Sequence, residues 1–302
     1  GFCKQAFPGI PDLAIAKMVA GVEVDLFRPD EELKRLARVA LDSGVADAFT
    51  VKDVEQTCQI LKGTDAGQAW IASFQESAEP WFNFSTGSGF YHQDKIWIEN
   101  VEIPFDFIND YIIKLQAGED LARPMEAIRA ERDRVVGEYS ELLASDEDRE
   151  AFQAKLGLAR VVFPYVENHN FYVEHWSHSV IWRKMRQLGE VFVKEGFWGE
   201  ANDIFYLKRT EVEDALWDYY VSWATPEPAA GPGYWPGLVE KRKGICNALK
   251  KWKPVPALGA PPEIITEPFT VMLWGITSDS VTSWLGGGDA KEGELRGMAA
   301  SP

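Results

Sequence analysis

"PDEELKRLARVALDSG", residues 29–44, sets the period that governs most of the chain. Leu33, Leu36, Val39 and Ala40 recur three or four residues apart, so one side of a helix is apolar and the other charged. Asp30 stands where an N-cap is expected and Gly44 where a stop is expected. "TVKDVEQTCQILKG" (50–63) repeats that logic, with Thr50 as the expected cap and Gly63 as the stop. "PFDFINDYIIKLQAG" (104–118) opens with proline at the favoured first helical position. "PMEAIRAERDRVVGEYSELLA" (124–144) is a charged amphipathic helix. Ser145 with Asp148 resembles a capping box, and Thr210 with Glu213 is a clearer one. A helical run from about 147 to 195 is expected to break or kink at Pro164, where a backbone donor is lost.

Two stretches depart from this period. "WFNFSTGSGFYHQDKIWIEN" (81–100) has β-rich ends around a Ser/Gly-rich centre, which predicts an irregular loop flanked by short extended pieces. "DIFYL" (203–207) reads as a short strand. After Ala224 the texture becomes Pro/Gly-rich in "TPEPAAGPGYWPG" (225–237) and "KPVPALGAPPEIITEP" (253–268), with one basic helix between them. The fold class expected is mainly α, with a few short strands and a Pro/Gly-rich C-terminal connector. Three regions follow. Residues 1–120 form an N-terminal helical part with a loop/strand segment at 81–103, residues 121–225 a helical core, and residues 226–302 the connector.

Composition excludes several functions. The 302 residues carry 31 Lys and Arg against 47 Asp and Glu, a net charge of −16. Nucleic acid and anionic membrane both need a basic footprint, so neither is expected as the main partner. The basic run "KRKGICNALKKWK" (241–253) reads as a solvated helix face. Three cysteines (Cys3, Cys58, Cys246), odd in number and without CxxC spacing, read as reduced thiols of a cytoplasmic protein. No run approaches the roughly 18 apolar residues of a membrane span. Twelve Trp and seventeen Phe suggest broad apolar packing and a pocket for a flat organic ligand. A start at Gly1 and an end at "LRGMAASP" lead to the expectation of a piece excised from something longer.

"VENHNFYVEHWSHSVIWRK" (166–184) holds three of the four histidines, His169, His175 and His178. A zinc helix needs histidines four apart, whereas His175 and His178 are three apart, and the inverted HxxEH motif is missed as well; no metal site is expected. On a helical wheel His169, Tyr172, Trp176, Ser179 and Arg183 fall within an arc of roughly 80°. Phe171, His178, Trp182 and Met185 form a separate core stripe, with His175 at the border. The first face joins hydrogen-bonding groups to aromatic walls and ends in a cation. Such a face could hold a ring by stacking while an imidazole meets its hydroxyl. The alternative is a buried helix whose polar groups are satisfied internally.

The residues from Glu167-Asn168 through Arg183, Leu188-Gly189, Gly196 and Asp203-Ile204-Phe205-Tyr206-Leu207 resemble the helical middle portion of phosphoenolpyruvate-synthase-like dikinases. "LRGMAASP" resembles the entry into that family's phosphohistidine domain. The similarity covers about 165 to 212 and the last six residues. "FPGIPDLAIAKM" (7–18) and "YHQDKIWIENVEIPFDFINDYI" (91–112) resemble the acceptor-binding region of the branch that phosphorylates phenols and other xenobiotics, which includes phenylphosphate synthases, cresol-phosphorylating synthases and rifampicin phosphotransferases. Val166 stands where the family has arginine, leaving Arg183 or Arg186 to substitute.

The resemblance implies an acceptor-binding domain working with an ATP-grasp domain and a swivelling phosphohistidine domain that lie elsewhere. ATP and Mg would act at that nucleotide-binding domain, and this chain would bind no cofactor itself. The acceptor would be a small aromatic alcohol such as phenol or 4-cresol. His169 and His175 are the candidates for its hydroxyl, and Arg183 for phosphoryl charge, with Lys95 beside it. Tyr172, Trp176, Ser179 and Trp97 would line the site, with Tyr91, His92 and Asp94 at its mouth. Two alternatives stay open. One is a non-catalytic helical binding or interaction domain. The other is an acceptor site for pyruvate or another small acid, which would require an arginine-rich pocket.

Overall fold

The computed structural model describes residues 2–51, 53–253, 260, 262–267, 270–271 and 275–285. The chain divides into two compact units, Gly1–Leu216 and Trp217–Pro302. The fold is mainly α-helical, as the periodicities predict.

The first unit begins with α1 (Phe2–Ala6), α2 (Asp12–Val19) and a 3-10 turn at Asp25–Phe27, which leads directly into α3 (Arg28–Asp42). Asp30 therefore lies inside the first turn, where its charge favours the helix N-terminus, and is not the cap. Of the expected apolar side, Leu33, Leu36 and Ala40 are buried, joined by Ala37, while Val39 is only partly buried. After a 3-10 turn at Ala46–Thr50 comes α4 (Val54–Lys62), and its cap is Asp53, whose side chain accepts from the Gln56 N–H at 2.9 Å. Thr50 instead closes the preceding turn, donating to the Asp47 carbonyl. Then come α5 (Asp65–Trp81), capped by Thr64, and α6 (Glu102–Gln116), with Pro104 in its first turn.

These helices enclose one core around Trp70, Phe82, Phe105 and Ile108. The Trp70 indole N–H is satisfied by the Leu36 carbonyl at 3.0 Å, so the large ring is buried without an orphaned donor. Truncating it to alanine would cost about 3–5 kcal/mol. A second cluster joins α1 and α2 to α7 (Met125–Glu141) and α8 (Asp146–His169) through Phe7, Met18, Val135, Val136 and Phe152.

The helix does not break at Pro164, since α8 runs through it. The departure comes one turn later. Asn170–Ser177 winds as a π-helix before α9 (His178–Lys194) resumes the ordinary turn. Of the two stretches expected to depart from the helical period, 81–100 is the irregular loop expected, its extended ends paired where they meet, while 203–207 differs. Residues 82–101 hold a single isolated bridge, Ser85 with Ile96. "DIFYL" lies in a 3-10 turn, Ala201–Tyr206, closed by a reciprocal cap between Glu200 and Asp203. A run of apolar residues that short is read equally well as a strand or a buried turn, and here the cap decides.

Next in the chain is α10 (Arg209–Ala224), where the Lys208 N–H, not Thr210, meets the capping carboxylate, Glu211, at 2.6 Å. In the second unit Asp218 accepts from the Ala230 and Gly231 N–H groups at the start of α11 (Gly231–Leu249). Part of the Pro/Gly-rich stretch is thus helical: Pro232 sits at its favoured start, and Trp235 and Val239 are buried. A short helix, α12 (Ser278–Leu285), follows. "PVPALG" (254–259), the Gly-rich end and "LRGMAASP" lie outside the described residues.

Candidate functional site

The π-helical segment controls where the histidine helix points. A π turn bonds i to i+5, so eight residues of it shift the wheel away from 3.6 residues per turn, and such insertions are frequent at functional sites. The face read as continuous is consequently split in two.

The first half looks toward the 3-10 turn before α3. The Tyr172 hydroxyl donates to Asp25 Oδ2 at 2.9 Å, and Asn168 Nδ2 donates to the same oxygen at 3.1 Å. Asn168 Oδ1 in turn accepts from the Asp25 backbone N–H at 2.6 Å. Burial and the Asp25 carboxylate together hold the Tyr172 phenol protonated, above its ordinary pKa. Trp176 leans against Phe171 and Tyr172 and keeps that side aromatic.

The second half looks toward the 82–92 loop. Asn83 is fully buried, and its Oδ1 accepts from Ser179 Oγ at 3.1 Å and from Arg183 Nη1 at 2.7 Å. Its Nδ2 donates to Glu79 Oε1 at 2.7 Å, and Glu79 also lies 3.6 Å from Arg183. His175 is buried with its ring stacked on Phe84 at 4.1 Å. Its Nδ1 accepts from the Ser85 N–H at 3.3 Å and lies 3.2 Å from Ser85 Oγ. A backbone N–H can only donate, so Nδ1 carries no proton and the neutral ring holds its hydrogen on Nε2. Burial pushes the His175 pKa down, against the opposing pull of Asp94.

The three residues expected to act together share no partner. His169 is exposed and lies 3.7 Å from Glu174; His175 is committed to Ser85, and Arg183 to Asn83 and Glu79. The mouth residues serve the loop itself. Asp94 accepts from the Gly89 N–H at 3.0 Å, and the His92 ring stacks on Phe205 at 4.1 Å. Arg186 ties the loop down by donating to the His92 carbonyl at 2.7 Å and to Glu99 at 2.6 Å. Trp97 is buried between Phe84 and Phe107 instead of walling an open site. Tyr91 is exposed, and Lys95 lies 3.8 Å from Glu102. His178 packs with Phe90 and Trp182, half in the core stripe to which its spacing assigned it.

The cavity beside this helix opens elsewhere. A cleft of about 680 Å³ is lined by Glu23, Val24, Asp25, Phe27, Arg28, Glu31, Arg38, Trp81, Ala122, Arg123 and Met125. Asp25 is the link, since it lines the cleft and is held by Tyr172 and Asn168. The Arg123 guanidinium lies 3.6 Å over the Phe27 ring and that of Arg28 5.3 Å over Trp81. Trp81 backs onto Phe171 of the π segment at 5.1 Å.

Sequence reasoning missed this cleft because the polar side of α3 reads as an ordinary solvated face. One signal was present: Arg28, Glu31 and Arg38 fall within an arc of about 80° on that helix. Asp25 and Arg123 come from separate segments and gave none.

Among the described residues no group of histidine, cysteine and carboxylate side chains is placed to hold a metal ion, and no helix is long and apolar enough to cross a membrane. The three cysteines are free thiols. No protein-family model, curated protein or solved structure matches the chain.

Proposed function

We propose that this chain is the acceptor-binding part of a phosphotransferase of the phosphoenolpyruvate-synthase-like dikinase type, presenting a phenolic hydroxyl to a phosphohistidine carried on another domain. The observation that carries this reading is the cleft whose lip bears Asp25, hydrogen-bonded by Tyr172 and Asn168 of the helix that resembles the family. Asp25 Oδ2 is occupied, whereas Oδ1 has no hydrogen-bond partner among the described residues. Oδ1 is the acceptor for the phenolic proton. In the transfer the aryl oxygen forms a bond to phosphorus, the phosphorus–nitrogen bond of the phosphohistidine breaks, and the phenolic proton passes to Asp25 and then to water. Arginines at the cleft offset the negative charge of the phosphoryl oxygens. ATP and Mg act, on this reading, at a separate nucleotide-binding domain, and release AMP and phosphate there. The role first given to His169 and His175 passes, on this reading, to Asp25, which Tyr172 helps to hold in place.

Calorimetric titration of the chain with phenol and 4-cresol tests the reading. Micromolar binding that weakens in Asp25→Ala supports it; no binding of either compound sinks it.

A binding module without chemistry is the second reading. It is favoured by the internal satisfaction of His175, Ser179 and Arg183, which leaves the histidine helix itself with a structural task. On that reading aromatic compounds still bind, but no phosphoryl group moves from a phosphohistidine donor.

A further inference from the structure

The charged groups around the Asp25 cleft are not equivalent. Two of its three carboxylates are paired with cations that do not line it, and one oxygen of the third is hydrogen-bonded. Glu31 meets the buried Lys34 ammonium at 3.0 Å, Glu23 lies 3.5 Å from Arg129, and Asp25 is held by Tyr172 and Asn168. The arginines are in the opposite situation. The Arg38 side chain has no hydrogen bond or ion pair to any described residue, and that of Arg123 has only the Phe27 ring beneath it. Arg28 has the Trp81 ring and a marginal contact with Glu32 at 3.9 Å.

A guanidinium over an aromatic ring gains from the ring's π-face without giving up an N–H donor, and its fork of N–H groups matches a carboxylate or phosphate. Two guanidiniums lying over rings and a third without an ion-pair partner among the described residues line a single cleft in a chain whose net charge is −16. Its apolar lining of Val24, Phe27, Trp81 and Met125 suits a planar ring, and about 680 Å³ is the size of a small-molecule site.

We propose that this cleft binds an aromatic oxyanion, its carboxylate or phosphate held by Arg28, Arg38 and Arg123 and its ring lying along the apolar lining. The site deepens the acceptor reading and rests on it only for what the ligand's hydroxyl does. One chemistry has two sources here: the acceptor is itself a hydroxylated aromatic acid, or the anion is the phosphate of the aryl phosphate product.

The 302-residue chain is titrated calorimetrically with 4-hydroxybenzoate, phenyl phosphate, phenol and pyruvate, at low and at high salt. The aryl anions are expected to bind about tenfold or more tightly than phenol or pyruvate, and to weaken as salt rises. Preference for 4-hydroxybenzoate assigns the anion to the acceptor, and preference for phenyl phosphate assigns it to the product. Arg123→Gln is expected to weaken both aryl anions about tenfold while leaving phenol unchanged. Arg123 also covers Phe27, so Arg38→Gln, at an exposed residue with no partner to lose, gives the same readout without that complication. Phenol or pyruvate binding as tightly as the aryl anions overturns the proposal, as do two variants that leave anion binding intact, or aryl anions that do not bind. A separate transfer assay from a phosphohistidine donor keeps the two readings apart. Arginine-dependent anion binding without any transfer sinks the acceptor reading alone. Transfer to phenol with anion binding insensitive to both variants sinks the oxyanion site alone.

Discussion

Gly89 and Glu174 meet backbone to backbone: a Cβ on Gly89 would stand 2.0 Å from the Glu174 carbonyl oxygen. The glycine adopts φ +84°, so both its missing side chain and its left-handed backbone are used. The same residue donates its N–H to Asp94 and accepts from Trp182 Nε1 at 3.3 Å. Glu174 O, on the other side of the contact, lies 3.2 Å from His178 Nδ1. The 82–92 loop is therefore held against the π-helical turn at Gly89, as it is at Ser85. His175, the next residue along, is sealed beneath that contact.

Gly89→Ala is expected to destabilise the first unit by about 2–4 kcal/mol, because neither backbone has a flexible atom to move aside. At about 2–4 °C per kcal/mol for a unit of this size, thermal unfolding should fall by several degrees. Gly137→Ala is the control. That glycine lies within α7 with nothing within 4 Å of a built Cβ, and the change should stabilise by about 0.5–1 kcal/mol. Equal effects at the two sites would remove the contact from the account.

Asn83→Ala leaves the Ser179 hydroxyl and the Arg183 guanidinium without their buried acceptor and Glu79 without its donor. The expected loss is about 2–3 kcal/mol, seen as a lower urea midpoint at unchanged slope. Ser179→Ala removes a donor and leaves Asn83 still bonded to Arg183, so its cost should be smaller, about 1 kcal/mol. An Asn83→Ala variant as stable as the parent would show that the network contributes nothing.

The helices were legible because their periods are local: the buried Leu33, Leu36 and Ala40 follow directly from the spacing in α3. What stayed hidden depends on groups brought from far apart. Asp53 and Thr50 are both N-capping residue types, and the backbone conformation selects Asp53. The wheel failed on the histidine helix for a physical reason. It assumed one residue every 100°, and the π segment breaks that rule between Tyr172 and Ser179, sending one to Asp25 and the other to Asn83. The cleft was invisible because Asp25, Trp81 and Arg123 are separated by tens of residues and carry no shared spacing.

His175 gives the first unit a pH dependence of defined sign. Its folded pKa lies below the ordinary 6.5 through burial, with Asp94 opposing. Below 6.5 the unfolded chain binds a proton that the folded chain refuses, so stability is fully present above that value. It is lost as pH falls toward the folded pKa. The slope from this one group is at most about 1.4 kcal/mol per pH unit. Urea unfolding from neutral pH downward should show the loss in the parent chain, and His175→Gln should flatten that component. An identical pH profile in the two chains would mean that His175 titrates freely in the folded state.

Tyr172→Phe and Asp25→Asn separate structure from chemistry at the lip of the cleft. Removing the Tyr172 hydroxyl deletes one donor to Asp25 and should cost about 1 kcal/mol of stability, with phenol affinity little altered. Asp25→Asn keeps the size of the side chain and retains an oxygen for Tyr172, but takes away the carboxylate that accepts the phenolic proton. Phenol should still bind to this variant, while phosphoryl transfer from a phosphohistidine donor falls by about a hundredfold or more. The fall should appear in kcat with KM nearly unchanged, because the proton moves only as the oxygen–phosphorus bond forms. Transfer at the parent rate in Asp25→Asn would return the search for the base to His169, the histidine left exposed on the outer face of the helix.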